Sequence, residues 1–186
     1  MADQGTEGSL SPFLRRQRFK IIEPYLYGKI LDVGCGTGTL SEKISPDDYL
    51  GVEVDHTSLE KAISQFPKHS FQSNLPEDKQ QYDTVIALAV IEHVKNPDNF
   101  LAELKKQLKP EKTAKIIITT PHPSMDWVHN LGAAIGLFSK HANEEHEELL
   151  DRTKLKMVGS IANLQLVKYQ RFLFGANQIA IYKQNF

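Results

Sequence analysis

The segment Leu31-Asp32-Val33-Gly34-Cys35-Gly36-Thr37-Gly38-Thr39-Leu40 sets three glycines at alternate positions directly after a short apolar stretch. Glycines so placed let the backbone turn sharply and approach a ligand closely. The loop is expected to open onto a helix starting near Thr39, whose unpaired N–H groups would favour a negative ligand group. A dinucleotide loop would carry its third glycine where this chain has Thr39, so the spacing speaks against a nicotinamide oxidoreductase. No Gly-Lys-Ser/Thr follows, which speaks against a phosphate-binding P-loop. Glu53 then falls near the end of a second strand, at the lip of the same crevice. A carboxylate there can accept hydrogen bonds from both hydroxyls of a ribose and would repel a 2′-phosphate. Asp55 is expected to point the other way if the strand continues.

Histidine, with an ordinary pKa of about 6.5, suits the removal of a proton from a hydroxyl acceptor. His93 follows the apolar segment Tyr82 to Ala89, and His122 follows Lys115 to Thr119 in Thr119-Thr120-Pro121-His122-Pro123. Both sit at the sheet edge where ligands collect in open α/β folds. His146 lies in the acidic run Glu144-Glu145-His146-Glu147-Glu148, in a region expected to cover an acceptor. His93 is the first choice as a site residue; the competing reading of each is a structural histidine held by hydrogen bonds.

These residues need elements to hold them. Ser11-Pro12 reads as a cap followed by proline in the first turn of a helix running towards Tyr27, with Pro24 bending or ending it. Lys29 to Val33 and Tyr49 to Val54 read as strands. Thr57-Ser58-Leu59-Glu60 has the capping-box pattern ahead of Leu59, Ala62, Ile63 and Phe66. Tyr82 to Ala89 reads as a strand, Asn96-Pro97-Asp98 opens a helix that stops by Pro110, and Lys115 to Thr119 is a β-branched strand. Alternation of this kind predicts a parallel sheet with helices on both faces. Residues 124–158 read as mainly helical. Leu164 to Phe174 and Gln178 to Lys183 read as two strands around Gly175-Ala176-Asn177, an antiparallel hairpin closing the sheet.

Ile30 to Gly38 resembles the nucleotide loop of class I S-adenosylmethionine-dependent methyltransferases. Gly51-Val52-Glu53-Val54 resembles their acidic strand, and Tyr82-Asp83-Thr84-Val85-Ile86-Ala87 resembles their fourth-strand motif. Val90-Ile91-Glu92-His93-Val94 is similar to a common variant of the segment after that strand. Leu108-Lys109-Pro110 before a hydrophobic strand is a further likeness. The resemblance implies a Rossmann-like α/β/α sandwich, a mostly parallel seven-stranded sheet with its last strand antiparallel. It implies S-adenosylmethionine as cofactor and S-adenosylhomocysteine as product. Gly34, Cys35, Gly36 and Gly38 would wrap the methionine moiety, Asp32 would hold its amino group and Glu53 the ribose. Asn74 and Leu75, in Gln72-Ser73-Asn74-Leu75-Pro76, occupy the stretch where family members often place an acid beside the adenine amine. Ala87, Leu88 and Val90 would form the pocket wall. The function implied is methyl transfer to a hydroxyl or amino group of a small-molecule acceptor. A non-catalytic module that binds the same cofactor is the alternative from another class. Small-RNA 2′-O-methyltransferases resemble the Glu92-His93 stretch, but Ala89 stands where their further metal-binding glutamate would be, so no metal is expected.

The whole chain has the composition of an ordinary globular protein. It has 186 residues, 40% hydrophobic and 24% charged, with a formal net charge of -1. Nothing global points to nucleic acid or an anionic membrane. The basic run Arg15-Arg16-Gln17-Arg18-Phe19-Lys20 reads as a solvated helix face. Cys35 is the only cysteine, and the longest apolar run, Val85 to Ile91, is too short for a bilayer, so a cytoplasmic location is expected. Residues 1–11 read as a disordered tail and 12–186 as one domain, with 121–160 a helical insertion on the substrate side; Met125, Trp127, Val128, Leu131, Ile135, Leu137 and Phe138 supply its apolar side chains.

Overall fold

The computed structural model describes residues 11–79, 81–125 and 149–186. Most of the expected tail, the larger part of the 121–160 insertion and His146 lie outside the described residues. Strands β1 (Ile30–Val33), β2 (Tyr49–Val52), β3 (Ser70–Gln72), β4 (Thr84–Leu88), β5 (Lys115–Pro121), β6 (Leu164–Phe172) and β7 (Asn177–Gln184) form one seven-stranded sheet. Their order is β3-β2-β1-β4-β5-β7-β6. Pairs within β1 to β5 are parallel, whereas β7 runs antiparallel to both of its neighbours. This is the expected sandwich sheet, with β7 as its one reversed strand.

The period of two along each strand divides the core between the faces. On one face, helix α1 (Ser11–Ile22) sets Ile22 against Ile30, Ile86, Ile117, Ile179 and Ile181. On the other, α3 (Pro97–Gln107) and α4 (Arg152–Ile161) bury Leu101, Leu104, Leu155 and Val158 against Leu31, Val85, Ile116 and Ile118. Helix α2 (His56–Gln65) packs beside β3 and buries Leu59 and Ala62. Asp83, at the foot of β4, accepts from the Lys29 N–H at 2.8 Å and from the Lys109 ammonium at 2.7 Å. It thereby ties the start of β1 to the turn before β5. Among the described residues, no helix is long and apolar enough to cross a membrane.

Two local expectations are corrected. The helix expected near Thr39 is two isolated 3-10 turns, Ser41–Lys43 and Pro46–Asp48. Pro46 breaks a continuing helix and Tyr49 already belongs to β2, so the chain has no length left for more. Helix α2 is capped by Asp55, not by the Thr57 capping box: the Asp55 carboxylate accepts from the Ser58 N–H at 2.8 Å. An ionised cap is favoured by the positive end of the helix. That cap also explains why Asp55 does not continue the strand, which ends at Val52. The end of α1 agrees with the expected effect of Pro24: the helix stops at Ile22, and Pro24 lies in a following 3-10 turn, Glu23–Tyr25.

Gly159 in α4 shows how tightly that layer is packed. A Cβ there would lie 2.5 Å from the ring of Tyr182, which is fully buried and donates its hydroxyl to the Leu155 carbonyl at 3.0 Å. Alanine gains about 1 kcal/mol in helix propensity over glycine, but overpacking a ring that cannot yield costs about 1–3 kcal/mol. Gly159→Ala is therefore expected to lower the unfolding free energy by about 1 kcal/mol in urea titration, where an exposed helical glycine would show a gain.

Candidate functional site

From β1 the chain winds outward through β2 and β3, then returns to place β4 on the other side of β1. Ligands of open α/β sheets bind where the winding reverses, beyond the carboxyl ends of the strands. Here a crevice of about 240 Å³ opens at that point, lined by Asp32, Gly34, Cys35, Gly36, Leu88 and Arg18 among others.

The glycine loop is shaped by conformations that other residues rarely adopt. Gly34, Gly36 and Gly38 have φ of 73°, 55° and 75°. A Cβ on Gly34 would lie 2.4 Å from Val90 Cγ2, and one on Gly38 would lie 2.8 Å from the Phe71 ring. Those two glycines let the loop pack against its own scaffold. Gly36 differs, because nothing lies within 4 Å of its Cβ position. Its open side faces the space a ligand would use. The loop is moored to β2: the Gly34 and Cys35 N–H groups both donate to the Val52 carbonyl, at 2.8 and 3.1 Å.

Two acids frame the loop. Asp32 is buried and accepts from the Tyr49 hydroxyl at 2.8 Å. Burial pushes its pKa up to about 7, against the lowering effect of the Tyr49 bond and with the Glu53 charge adding to the rise. Burial likewise raises the Cys35 thiol, with Asp32 and Glu53 reinforcing it. Cys35 is thus a packing residue against Gly51 and not an activated nucleophile. Glu53 is half-buried; its carboxylate accepts from the Gly36 N–H at 2.8 Å and the Asp55 N–H at 2.9 Å. Each oxygen retains lone pairs for further donors.

The reading of Arg15 to Lys20 as a solvated face holds for Arg16 and Lys20, which are exposed, but not for Arg15 and Arg18, which are half-buried and line the crevice. Spacing of three and then four residues puts those two arginines and Ile22 on one side of α1, and this spacing was the signal available in the sequence. Burial lowers the Arg18 pKa, opposed by the charge of Glu92. Glu92 is buried, and desolvation raises its pKa despite its own backbone hydrogen bond and the Arg18 charge. Arg18 Nε, Glu92 Oε2 and the hydroxyls of Thr119 and Thr120 are buried without hydrogen-bond partners. Groups of this kind cost about 1–3 kcal/mol each when left unpaired; of these residues, Arg18 lines the crevice. Ser58, Thr37 and Thr39 also line the crevice and were not singled out from the sequence.

The remaining expected residues are distributed more widely. Leu88 lines the crevice, whereas Ala87 is fully buried on the opposite face with the α3–α4 core. Val90 is half-buried against Gly34. Asn74 and Leu75 line a neighbouring hollow made by residues 72–78; Asn74 is exposed and donates its amide to the Ser73 hydroxyl at 3.1 Å. His93 ends the 3-10 turn Ile91–His93 and is exposed. His122 sits beside the β6–β7 hairpin, where its Nδ1 accepts from the Ser124 N–H at 3.1 Å and lies 2.8 Å from the Ser124 hydroxyl. Burial and the nearby Arg171 hold its pKa below the usual histidine value. Among the described residues, no group of three or more His, Cys, Asp or Glu side chains converges as a metal ion would require.

A family model described as a methyltransferase domain matches residues 8–169. A ubiquinone biosynthesis O-methyltransferase of Rickettsia bellii is 32% identical over 97 residues, 47% of this chain and 40% of that protein. The mitochondrial enzyme of the same name from Dictyostelium discoideum is 30% identical over 102 residues, covering 44% of this chain and 32% of its own length. The chain thus spans well under two thirds of these relatives. Among solved structures, a Pyrococcus horikoshii protein superposes with a TM-score of 0.72 at 18% identity, covering 97% of this chain and 96% of its own. Magnesium protoporphyrin IX methyltransferase from Synechocystis, with bound S-adenosylhomocysteine, gives 0.65 at 15% identity, covering 94% and 83%. At those identities the structures speak for the fold, and the family match speaks for descent. Spanning most of the sequence and carried on this sheet, that match makes the chain a member of the class I S-adenosylmethionine-dependent methyltransferase family.

Proposed function

We propose that the chain transfers a methyl group from S-adenosylmethionine to a hydroxyl or amino group of a small-molecule acceptor. The observation that carries the cofactor reading is the open side of Gly36 beside an anchored Glu53. The surrounding donor set fits the same group. A buried carboxyl at Asp32 suits an ammonium, the guanidinium groups of Arg15 and Arg18 suit a carboxylate, and the spare lone pairs of Glu53 suit ribose hydroxyls. When bound, the cofactor supplies an electrophilic sulfonium methyl. The chain's own task is then to align an acceptor and exclude water, which can supply about 7–11 kcal/mol where the approach is in line. The hydroxyl-methylating names of the relatives support a small acceptor. For its proton, His93 remains the proposed base, because it stands beside Glu92 in the turn that follows β4. Transfer of labelled methyl from S-adenosylmethionine into the small-molecule fraction of a cell extract tests the reading. Calorimetric binding of S-adenosylhomocysteine without any transfer would favour the regulatory module instead.

Two neighbouring glycines should separate folding from binding. Gly36→Ala is expected to leave the unfolding transition within about 1–2 kcal/mol, the cost of one left-handed residue. It should weaken S-adenosylhomocysteine binding about tenfold or more, since its new methyl fills the ligand's approach. Gly34→Ala should instead lose about 2–4 kcal/mol of stability, from strain together with the Val90 clash. Chemical denaturation and calorimetry on both variants read the contrast.

Asp32 makes a pH-dependent contribution whose sign is fixed by its raised pKa. Between the unfolded value near 3.8 and the folded value of about 7 the native state binds the extra proton, so stability from this group falls as pH rises through that window. A cationic amino group binding beside it requires the ionised form. Cofactor affinity should therefore rise with pH up to about 7, by roughly tenfold per unit below that point, with proton release visible when calorimetry is repeated in two buffers. Asp32→Asn should flatten both dependences.

A further inference from the structure

A second groove, of about 300 Å³, runs between α1 and the Ser41–Lys43 turn. Its floor is apolar, made by Phe19, Leu40 and Leu88, all of which pack against the α1-side core. Its rim is cationic: Arg16 and Lys43 are exposed, and their side chains make no hydrogen bond or ion pair with the described residues, while Glu42 is the acid that shares the rim. The groove is the space between α1 and a β1–β2 connection that consists of short turns. It is also continuous with the cofactor crevice, because Arg15, Thr39, Leu40 and Leu88 line both. Leu88, at the carboxyl end of β4, is the wall they share.

An apolar floor takes an aromatic or aliphatic body, and the two cations above it, without a partner among the described residues, take a negative group. We propose that this groove holds the methyl acceptor, and that the acceptor is an amphipathic anion, an apolar body bearing a carboxylate or similar group held by Arg16 and Lys43. This rests on the methyltransferase reading above and narrows its substrate class. The groove explains why a basic run on α1 that does not all turn towards the crevice sits beside half-buried Phe19. It excludes cationic amphiphiles by the same charges.

The test compares 2-naphthoate with 2-naphthamide, which share a ring system and differ in charge, by calorimetry on the full chain saturated with S-adenosylhomocysteine. The naphthoate is expected to bind roughly tenfold more tightly, the sum of two exposed ion pairs. The double variant Arg16→Glu/Lys43→Glu should erase that preference and leave S-adenosylhomocysteine binding unchanged, since neither residue lines the cofactor crevice. Equal binding of the two probes, binding of neither, or a preference that survives in the double variant overturns the proposal. If S-adenosylhomocysteine fails to bind, the methyltransferase reading falls, and the same comparison without it still decides the groove.

Discussion

The Glu53 carboxylate fastens the tip of the glycine loop to the end of β2, and the site has its shape because of that bond. Its own backbone N–H donates to the Gln72 carbonyl at 3.0 Å, so the residue is fixed from the β3 side before its side chain reaches across to Gly36. Hydrogen bonds to a charged acceptor contribute about 1.5–3 kcal/mol each. The one from Gly36, added to those of Gly34 and Cys35 to the Val52 carbonyl, holds a loop whose glycines would otherwise sample many conformations. The same carboxylate keeps lone pairs for further donors. Under the proposed cofactor reading, order and recognition come from one group, and neither can be altered without the other.

Much of this was legible in the residues. Alternate glycines after a buried strand gave the loop, and Glu53 was placed at its lip because a carboxylate ending the next strand must lie there in a parallel sheet. The isoleucines of β5 and the hairpin around Gly175 followed from strand periodicity and turn chemistry. Less visible was β3, whose short run Ser70-Phe71-Gln72 carries no alternation long enough to register. The helix expected after the loop failed because local pattern does not count the residues left before β2. Arg15 and Arg18 were misplaced for a different reason: charge alone suggests solvent, whereas the register with Ile22 decides which way a helical residue faces.

The two faces of the sheet are unequal partners in function. The α3–α4 face is filled by Leu, Ile and Val side chains around Tyr182 and holds the sheet together. The α1 face carries Asp32, Leu88 and Thr119 near the strand ends, and its covering is thinner because turns stand in for a helix after the glycine loop. Space on that face is what permits both the crevice and the cationic groove.

The position of β7 bears on how the molecule is assembled. It inserts between β5 and β6, so an interior strand comes from the very end of the described chain. The β6–β7 ribbon is a local pairing and can form on the microsecond scale. Its docking onto β5 joins residues some sixty positions apart and must await most of the other elements. Until then the edge of β5 stands open, with Ile116, Ile117 and Ile118 unshielded, and offers a template to any other extended segment. Folding speed and resistance to aggregation are thus set at the edge of the sheet farther from the glycine loop, by the arrival of one late ribbon.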